Sequence, residues 1–425
     1  MRFRSGARRL VTALLAGCLS ALIPTEAAWA LDQEHRALAE TVIERGIGFL
    51  RQRQNDDGSW MPQPGPAVTG MVVGVLLDRP DVDRTDPAVA AGLSYLLNRV
   101  QADGSIRDGA EGILANYNTA ISLSALAKVR GHPESAAAVA GAQDFLRGLQ
   151  WTAGDTTPDG ETIDVDHPFF GGVGYGNHGR PDLSNLQFML QGLRDSGVSS
   201  DDPAFQQALV FISRCQGIPR NDFFPDGVLP DDGSFIYATS ISKDLIGVPE
   251  SKANPREMDE ALTGRPVSGL RGYGSMTYAG FKSLLYADLD REDPRVTAAV
   301  DWLTRHYTLD QNPGMPEAVK LQGLYYYYMA QARALAAWGS TMLTVGGGDA
   351  MAWSGDESIE NDDVQADGST SPAGRDVDWA NALIDKLAGL QREDGSFVNE
   401  ADRWMEGDPD LVTAYALIAL QEATR

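Results

Sequence analysis

Two kinds of helical segment alternate along the chain. In the first kind, apolar residues form a single stripe and charged residues lie opposite it, which is typical of a helix with one face in water. The segment AETVIERGIGFLRQ, which starts at Ala39, is an example; its stripe consists of Val42, Ile43, Gly46, Ile47 and Leu50. Segments of this kind are predicted to be outer helices of the fold.

The second kind of segment is apolar or small over most of its circumference. A helix that is apolar nearly all round is buried nearly all round, so these segments are predicted to be inner helices. Their few polar residues cluster near the start. The inner segments begin at Val68, Asn116, Asp182, Ser275, Gly323 and Asp410.

Three of the outer segments begin with the same pair of residues. An aspartate precedes a proline at Asp86, at Asp202 and at Asp293. An aspartate at the N-cap accepts a hydrogen bond from a free backbone N–H, and proline at the first helical position loses no hydrogen bond. Each pair therefore predicts the start of a helix.

Six pairs of one outer and one inner helix follow from this pattern. An alternating series of wet-faced and buried helices predicts two concentric rings, that is, an all-α fold of the α/α toroid class with a central cavity. A repeat architecture also escapes the size limit of about 250 to 300 residues on a single compact core. Residues 31–425 are predicted to form one such domain. Residues 346–376 are acidic and rich in glycine and serine, and are predicted to be a mobile insertion.

The first 30 residues have the features of a secretory signal peptide. MRFRSGARR is basic, LVTALLAGCLSALI is a short apolar run, and PTEAAWA ends in the small residues that a signal peptidase recognises. Cleavage after Ala30 is expected, with export to the periplasm or the medium. The stretch LAGC also resembles a lipobox, so that a lipid anchor at Cys18 is the alternative.

The charge balance excludes some partners. Removal of four arginines and one glutamate with the leader changes the formal charge from −24 to −27. So acidic a surface repels phosphate backbones, and nucleic acid is not expected as a partner. No later apolar run is long enough to predict a transmembrane helix. Only Cys215 would remain after cleavage, so no intrachain disulfide is expected.

A short motif recurs between the two kinds of helix. It reads QNDDGSW at Gln54, QADGSI at Gln101 and QREDGSF at Gln391, and PDDGSF occurs at Pro230. A glutamine followed by glycine and an aromatic residue resembles the QW repeats of squalene-hopene cyclases and the related prenyltransferase repeats. The resemblance covers the mature chain in pattern. It implies that the glutamine amide forms hydrogen bonds with backbone groups that otherwise have no partner, while the aromatic ring packs against the next repeat. The motif would therefore tie neighbouring hairpins together.

The resemblance also implies where a catalytic acid would lie. Squalene-hopene cyclases protonate an alkene with an aspartate of a D-x-D-D motif at the head of an inner helix. Here Asp182 takes the first position, but Ser184 and Asn185 replace the following acids. The signature is therefore incomplete. Asp182 is the predicted catalytic acid. Asp410 heads a similar segment, again without the paired acids, and helix capping is the competing interpretation of both residues.

No cofactor or metal is predicted. The zinc-dependent protein prenyltransferases use Asp, Cys and His, but Cys215 has no metal-spaced partners in this sequence. Three functions stay open at this point. The chain binds an apolar or isoprenoid ligand, with cyclase activity unproven; it is a non-catalytic scaffold that binds protein partners not identifiable from sequence; or it is a carbohydrate-active toroid that uses Asp182 and Asp410.

The inner helix heads and the loops before them supply the predicted cavity lining. Aromatic faces at these positions can stabilise carbocations or stack on polycyclic lipids and sugars alike. Packing within the inner ring, with each tyrosine hydroxyl hydrogen-bonded, is the competing interpretation. The predicted lining residues are Thr69, Tyr117, Thr119, Tyr175, His178, Ser184, Asn185, Thr277, Tyr278, Tyr325, Tyr326, Asp410 and Thr413.

Overall fold

The computed structural model describes residues 31–109, 112–176, 178–254, 268–346 and 374–425. Within these ranges, twelve α-helices alternate between an outer and an inner ring. The outer helices are α1 (Gln33–Arg53), α3 (Pro87–Leu97), α5 (Pro133–Leu149), α7 (Pro203–Arg214), α9 (Pro294–Arg305) and α11 (Trp379–Leu390). The inner helices are α2 (Ala67–Leu77), α4 (Ala115–Ala127), α6 (Leu183–Asp195), α8 (Gly274–Tyr286), α10 (Leu324–Trp338) and α12 (Pro409–Ala423). A 3₁₀ turn, Glu317–Val319, precedes α10.

The predicted helix starts are confirmed. Asp86, Asp202 and Asp293 are the N-caps of α3, α7 and α9, and each carboxylate accepts a hydrogen bond from a backbone N–H of the first turn. A proline occupies the first helical position in all three. Each cap satisfies a donor that the helix itself leaves free.

The inner helices form a closed ring. Each packs against the next, from α2 through α4, α6, α8 and α10 to α12, and α12 packs back against α2. The outer helices cover the back of this ring, and α11 packs against α1 where the two ends of the chain meet. The fold class predicted from the sequence, a six-hairpin α/α toroid, is confirmed.

Two copies of the recurring motif tie neighbouring hairpins together as the resemblance implied, whereas the amide of Gln101 donates to Arg99 and Arg107 within its own loop. The side-chain amide of Gln54 donates to the carbonyls of Gly58 and Ala88, joining its own loop to the first turn of α3. Gln391 does the same across the closure of the ring, since its amide donates to Val42 of α1 and to Gly395. The ring of Trp60 is fully buried and its indole N–H donates to Leu50.

Replacing Gln391 with leucine should lower the free energy of unfolding by about 1 to 2 kcal/mol, because two buried carbonyls lose their donor. Chemical denaturation measures this change. Gln311→Leu is the matched control, since the side chain of Gln311 makes no hydrogen bond within the described residues. Equal stability of the two variants would show that the amide does not hold the ring closed.

A small sheet joins the last two hairpins. Strands β1 (Met342–Val345) and β2 (Arg375–Asp378) pair antiparallel, with Leu343 opposite Val377. The sequence analysis did not predict these strands. Most of the predicted insertion, residues 347–373, and the whole leader lie outside the described residues, so both stay predictions. No helix among the described residues is long and apolar enough to cross a membrane.

Candidate functional site

A cavity opens where the N-terminal ends of the inner helices meet. It has a volume of about 280 Å³, just below the range of about 300 to 1,000 Å³ usual for small-molecule sites. Eight aromatic side chains line it: Tyr117, Tyr175, Phe188, Tyr237, Tyr273, Tyr326, Trp404 and Tyr415. Four methionines complete much of the wall: Met61, Met71, Met276 and Met405. We call this cavity the aromatic chamber.

Two exposed apolar residues lie at the chamber. Trp404 and Met405 are exposed, and both line it. Both have left-handed backbone dihedrals, with φ values of 56° and 67°. The ring of Trp404 packs over Gly323, where an added Cβ would lie 3.0 Å from the ring. The loop before α12 therefore holds the ring of Trp404 over the N-terminal end of α10.

The chamber contains two charged side chains among the described residues. One is Glu406, which is buried and accepts hydrogen bonds from the backbone N–H of Tyr326 at 2.8 Å and from the amide of Asn399 at 2.6 Å. Burial outweighs these bonds and raises the pKa of Glu406 to about 7. The other is Lys252, which pairs with the buried Glu250 and lies 4.5 Å from the centre of the Tyr237 ring.

Four predicted lining residues do lie in the chamber wall: Tyr117, Tyr175, Ser184 and Tyr326. The hydroxyl of Tyr117 lies 2.7 Å from that of Ser184, which lies 3.0 Å from the hydroxyl of Tyr326. A second pair is formed by Tyr175 and Tyr237, whose hydroxyls are 3.1 Å apart. The heads of α4, α6 and α10 thus bring polar groups together in a wall that is otherwise aromatic.

The predicted threonines do not line the chamber. The hydroxyl of Thr69 accepts a hydrogen bond from the backbone N–H of Trp60, the aromatic residue of the recurring motif. The other three repeat this contact: Thr119 with Ile106, Thr277 with Phe235 and Thr413 with Phe397. All four side chains are fully buried. Their position at the helix heads is explained by this structural contact with the motif, and the prediction that they face the cavity is wrong.

Both candidate carboxylates lie outside the chamber wall. Asp182 is fully buried at the N-cap of α6, where it bonds the backbone N–H and the side-chain amide of Asn185. Burial raises the pKa of Asp182 although Arg180 and these bonds oppose the rise. Asp410 forms an ion pair with Arg53 at 2.9 Å, and burial raises its pKa against that pairing. Capping and ion pairing account for both residues.

The remaining predicted residues also lie elsewhere. Asn185 is buried between Asp182 and Asn116. Tyr278 packs on Tyr327 and accepts a hydrogen bond from Gln331, and Tyr325 packs against Tyr328 and Phe397. His178 is exposed, with its ring 4.7 Å from that of Trp151.

Sequence reasoning missed residues that long loops bring into the wall. Tyr237, Lys252 and Tyr273 come from the long connection between α7 and α8, and Trp404 to Glu406 come from the loop before α12. The sequence pattern carried one usable signal, because Tyr237 follows the PDDGSF copy of the motif by two residues. Nothing in the local sequence marks Glu406.

A second cavity of about 610 Å³ lies at the opposite end of the ring, where the inner helices end. We call it the polar funnel. Its charged lining consists of Asp78, Lys128, Arg130, Arg194, Asp195, Arg333, Glu422 and Arg425. Six helix C-termini carry partial negative charge there, and the basic side chains offset it. Met71, Ile121 and Phe188 line both cavities and so separate them.

Comparison with known proteins supports the fold and no more. No model of a protein family matches the sequence, and no curated protein matches it. Among solved structures, the chain is similar to an inactive variant of an α-1,6-mannanase of Salegentibacter in complex with α-1,6-mannotriose, with a TM-score of 0.50 and 11% identity over 92% of this chain and 98% of that one. It is also similar to the type II terpene cyclase MstE of Scytonema in complex with geranylgeranyl dihydroxybenzoate, with a TM-score of 0.49 and 14% identity over 92% and 99%.

The likeness to the mannanase agrees with the closed ring of packed inner helices. The protein has an α/α toroid fold, which the resemblance in the sequence implied. Since one fold can support many different functions, the function must be argued from the chamber itself.

Proposed function

We propose that the protein binds an apolar, isoprenoid-class small molecule in the aromatic chamber. The observation that carries this proposal is the lining itself, in which eight aromatic rings and four methionines surround a cavity of about 280 Å³. Aromatic faces and polarizable thioethers pack well against branched, unsaturated hydrocarbon, and burial of such a ligand is favourable by about 25 cal/mol per Å² of apolar surface.

The acid chemistry of the chamber favours binding over cyclisation by alkene protonation. An alkene is so weak a base that its protonation needs an unusually strong acid. The carboxyl in this wall, Glu406, is a weaker acid than a free glutamate because its pKa is raised to about 7. Asp182 lies behind the wall with its carboxylate bonded to Asn185.

The same wall offers little support for the carbohydrate alternative. Most glycosidases use two carboxyl groups on either side of the scissile bond, about 5 to 10 Å apart. Of the carboxylates in the described residues, Glu406 alone lines the chamber. Asp182 and Asp410, the pair that this alternative requires, are committed to a helix cap and an ion pair.

A cavity-filling pair of variants tests the proposal. Val68 and Val75 lie two turns apart on α2 and are both buried, but Val68 lines the aromatic chamber and Val75 lines the polar funnel. Val68→Phe should weaken binding of an acyclic isoprenoid such as geranylacetone at least tenfold, because the added ring occupies the chamber. Val75→Phe should leave the affinity within about twofold. Isothermal titration calorimetry measures both.

Failure of the wild-type protein to bind the isoprenoid would overturn the proposal, as would equal weakening by the two variants. Mass spectrometry of lipid that co-purifies with the mature chain gives an independent readout. We further propose that binding takes place outside the cytoplasm, since the N-terminal 30 residues have the features of an export signal. Recovery of the cleaved chain from the periplasm or the medium tests this part.

A further inference from the structure

The chamber wall contains more hydroxyl protons than acceptors for them. Tyr117, Ser184 and Tyr326 form a chain of three hydroxyls, which we call the hydroxyl cluster, joined by two oxygen contacts of 2.7 and 3.0 Å. Each contact uses one proton, whichever group donates. Three protons and two contacts therefore leave one hydroxyl proton without an acceptor inside the cluster.

The far end of the cluster supplies a donor instead of an acceptor. The side-chain amide of Gln187 donates to the hydroxyl of Tyr326 at 3.1 Å. Its orientation is fixed by Lys282, whose amine lies 2.6 Å from the carbonyl oxygen of the same amide. Lys282 is buried, and its amine donates hydrogen bonds to the side-chain carbonyl oxygens of Gln187 and Gln191. These bonds keep the carbonyl oxygen of Gln187 towards Lys282 and its N–H groups towards Tyr326. The spare proton is thus built into the wall.

The neighbouring tyrosine pair differs in this respect. Tyr175 and Tyr237 also share one hydroxyl contact, but Tyr237 lies near the carboxylate of Asp182 and acts to lower the pKa of that carboxyl. A carboxylate beside the pair is an available acceptor for the proton that the pair would otherwise leave over. The hydroxyl cluster has no such acceptor within the described residues.

We propose that the ligand of the aromatic chamber carries a hydrogen-bond-accepting oxygen, a carbonyl or an ether, and that this oxygen binds the spare hydroxyl proton of the cluster. The proposal rests on the proposed function and specifies its ligand as an oxygenated isoprenoid instead of a hydrocarbon. A hydrocarbon would displace water from this proton without replacing its hydrogen bond, which costs affinity.

A matched pair of ligands tests the proposal on the full mature chain. Geranylacetone is a neutral ketone, and its methylidene analogue has a CH₂ group in place of the carbonyl oxygen with nearly the same shape. The wild-type protein should bind the ketone about tenfold more tightly, a difference of about 1.4 kcal/mol, as measured by calorimetry. Equal affinity, or tighter binding of the analogue, would overturn the proposal. If the wild-type protein binds neither ligand, the proposed function itself is wrong.

Variants then locate the oxygen. Tyr326→Phe leaves two hydroxyls with one contact between them, so one proton is still spare and the preference for the ketone should persist. The triple variant Tyr117→Phe, Ser184→Ala and Tyr326→Phe has no hydroxyl left in the cluster, and its preference should fall to about onefold. The triple variant should bind the methylidene analogue at least as tightly as the wild type does, because the analogue no longer displaces water from a hydroxyl proton.

Two further tyrosines provide the control. The hydroxyls of Tyr273 and Tyr415 line the chamber and make no hydrogen bond within the described residues, so they are the competing anchors. Tyr273→Phe and Tyr415→Phe should each retain the tenfold preference. If either one abolishes the preference while the triple variant keeps it, the assignment of the oxygen to the hydroxyl cluster is wrong.

Discussion

Between pH 4.5 and pH 7 the wild-type protein should lose about 3 kcal/mol of its free energy of unfolding through the ionisation of Glu406. Replacing Glu406 with glutamine should abolish this loss. The pKa of Glu406 is about 7 in the folded chain, whereas the ordinary value for a glutamate, which applies to the unfolded chain, is 4.5. Between these limits the unfolded chain releases a proton that the folded chain retains, so the stability that the protonated group contributes at low pH is lost as pH rises. Above pH 7 both states are ionised and this contribution is constant.

Urea denaturation at several pH values, on the wild type and on Glu406→Gln, isolates this contribution as a difference between two curves. The exposed Glu393 is a matched control, because Glu393→Gln removes a carboxylate of the same kind from the surface. The wild-type and Glu406→Gln curves should diverge by about 3 kcal/mol across the interval. Parallel curves would show that Glu406 is not held in a desolvated site, and the description of the chamber wall would need revision.

Replacing Gly395 with alanine should lower the free energy of unfolding by about 3 kcal/mol. Gly395 belongs to the recurring motif before α12 and has a φ of 89°, which side chains disfavour. A Cβ at this position would lie 2.4 Å from the carbonyl oxygen of Arg45 in α1. Because that oxygen is backbone, the contact is relieved only if the last hairpin moves away from the first.

Gly389→Ala is the control for this second variant. Gly389 lies near the end of α11, and an added Cβ would meet nothing within 4 Å. An alanine there should leave stability unchanged or raise it by up to about 1 kcal/mol. Thermal and chemical unfolding of both variants measure the difference. If Gly395→Ala proves as stable as Gly389→Ala, the ring does not close through this tight contact.

The sequence predicted the helices well because their signals are local. Asp–Pro pairs set the starts of α3, α7 and α9, and the contrast between striped and fully apolar segments separated the outer ring from the inner one. The recurring motif carried both a structural role and a resemblance, and the contacts of Gln54 and Gln391 agree with that role.

The site was predicted only in part. The structure places Tyr117, Ser184 and Tyr326 in the wall because they lie at the heads of inner helices, and Tyr175 reaches it from the loop before α6. The threonines were predicted to line the cavity because they lie at helix heads, but their hydroxyls bond the preceding loop instead. A polar residue at a helix head faces either the cavity or the preceding loop, and the helix period alone does not distinguish the two directions.

What the sequence determined by itself is the series of helices and their order in two rings, since caps, breakers and periodicity act between residues close in the chain. Only the tertiary structure decided the chemistry of the chamber. Glu406, Tyr237 and Lys252 reach its wall from loops, and the carboxyl of Glu406 becomes a weak acid because distant segments remove it from water. Desolvation depends on everything packed around a group, and no local pattern records it.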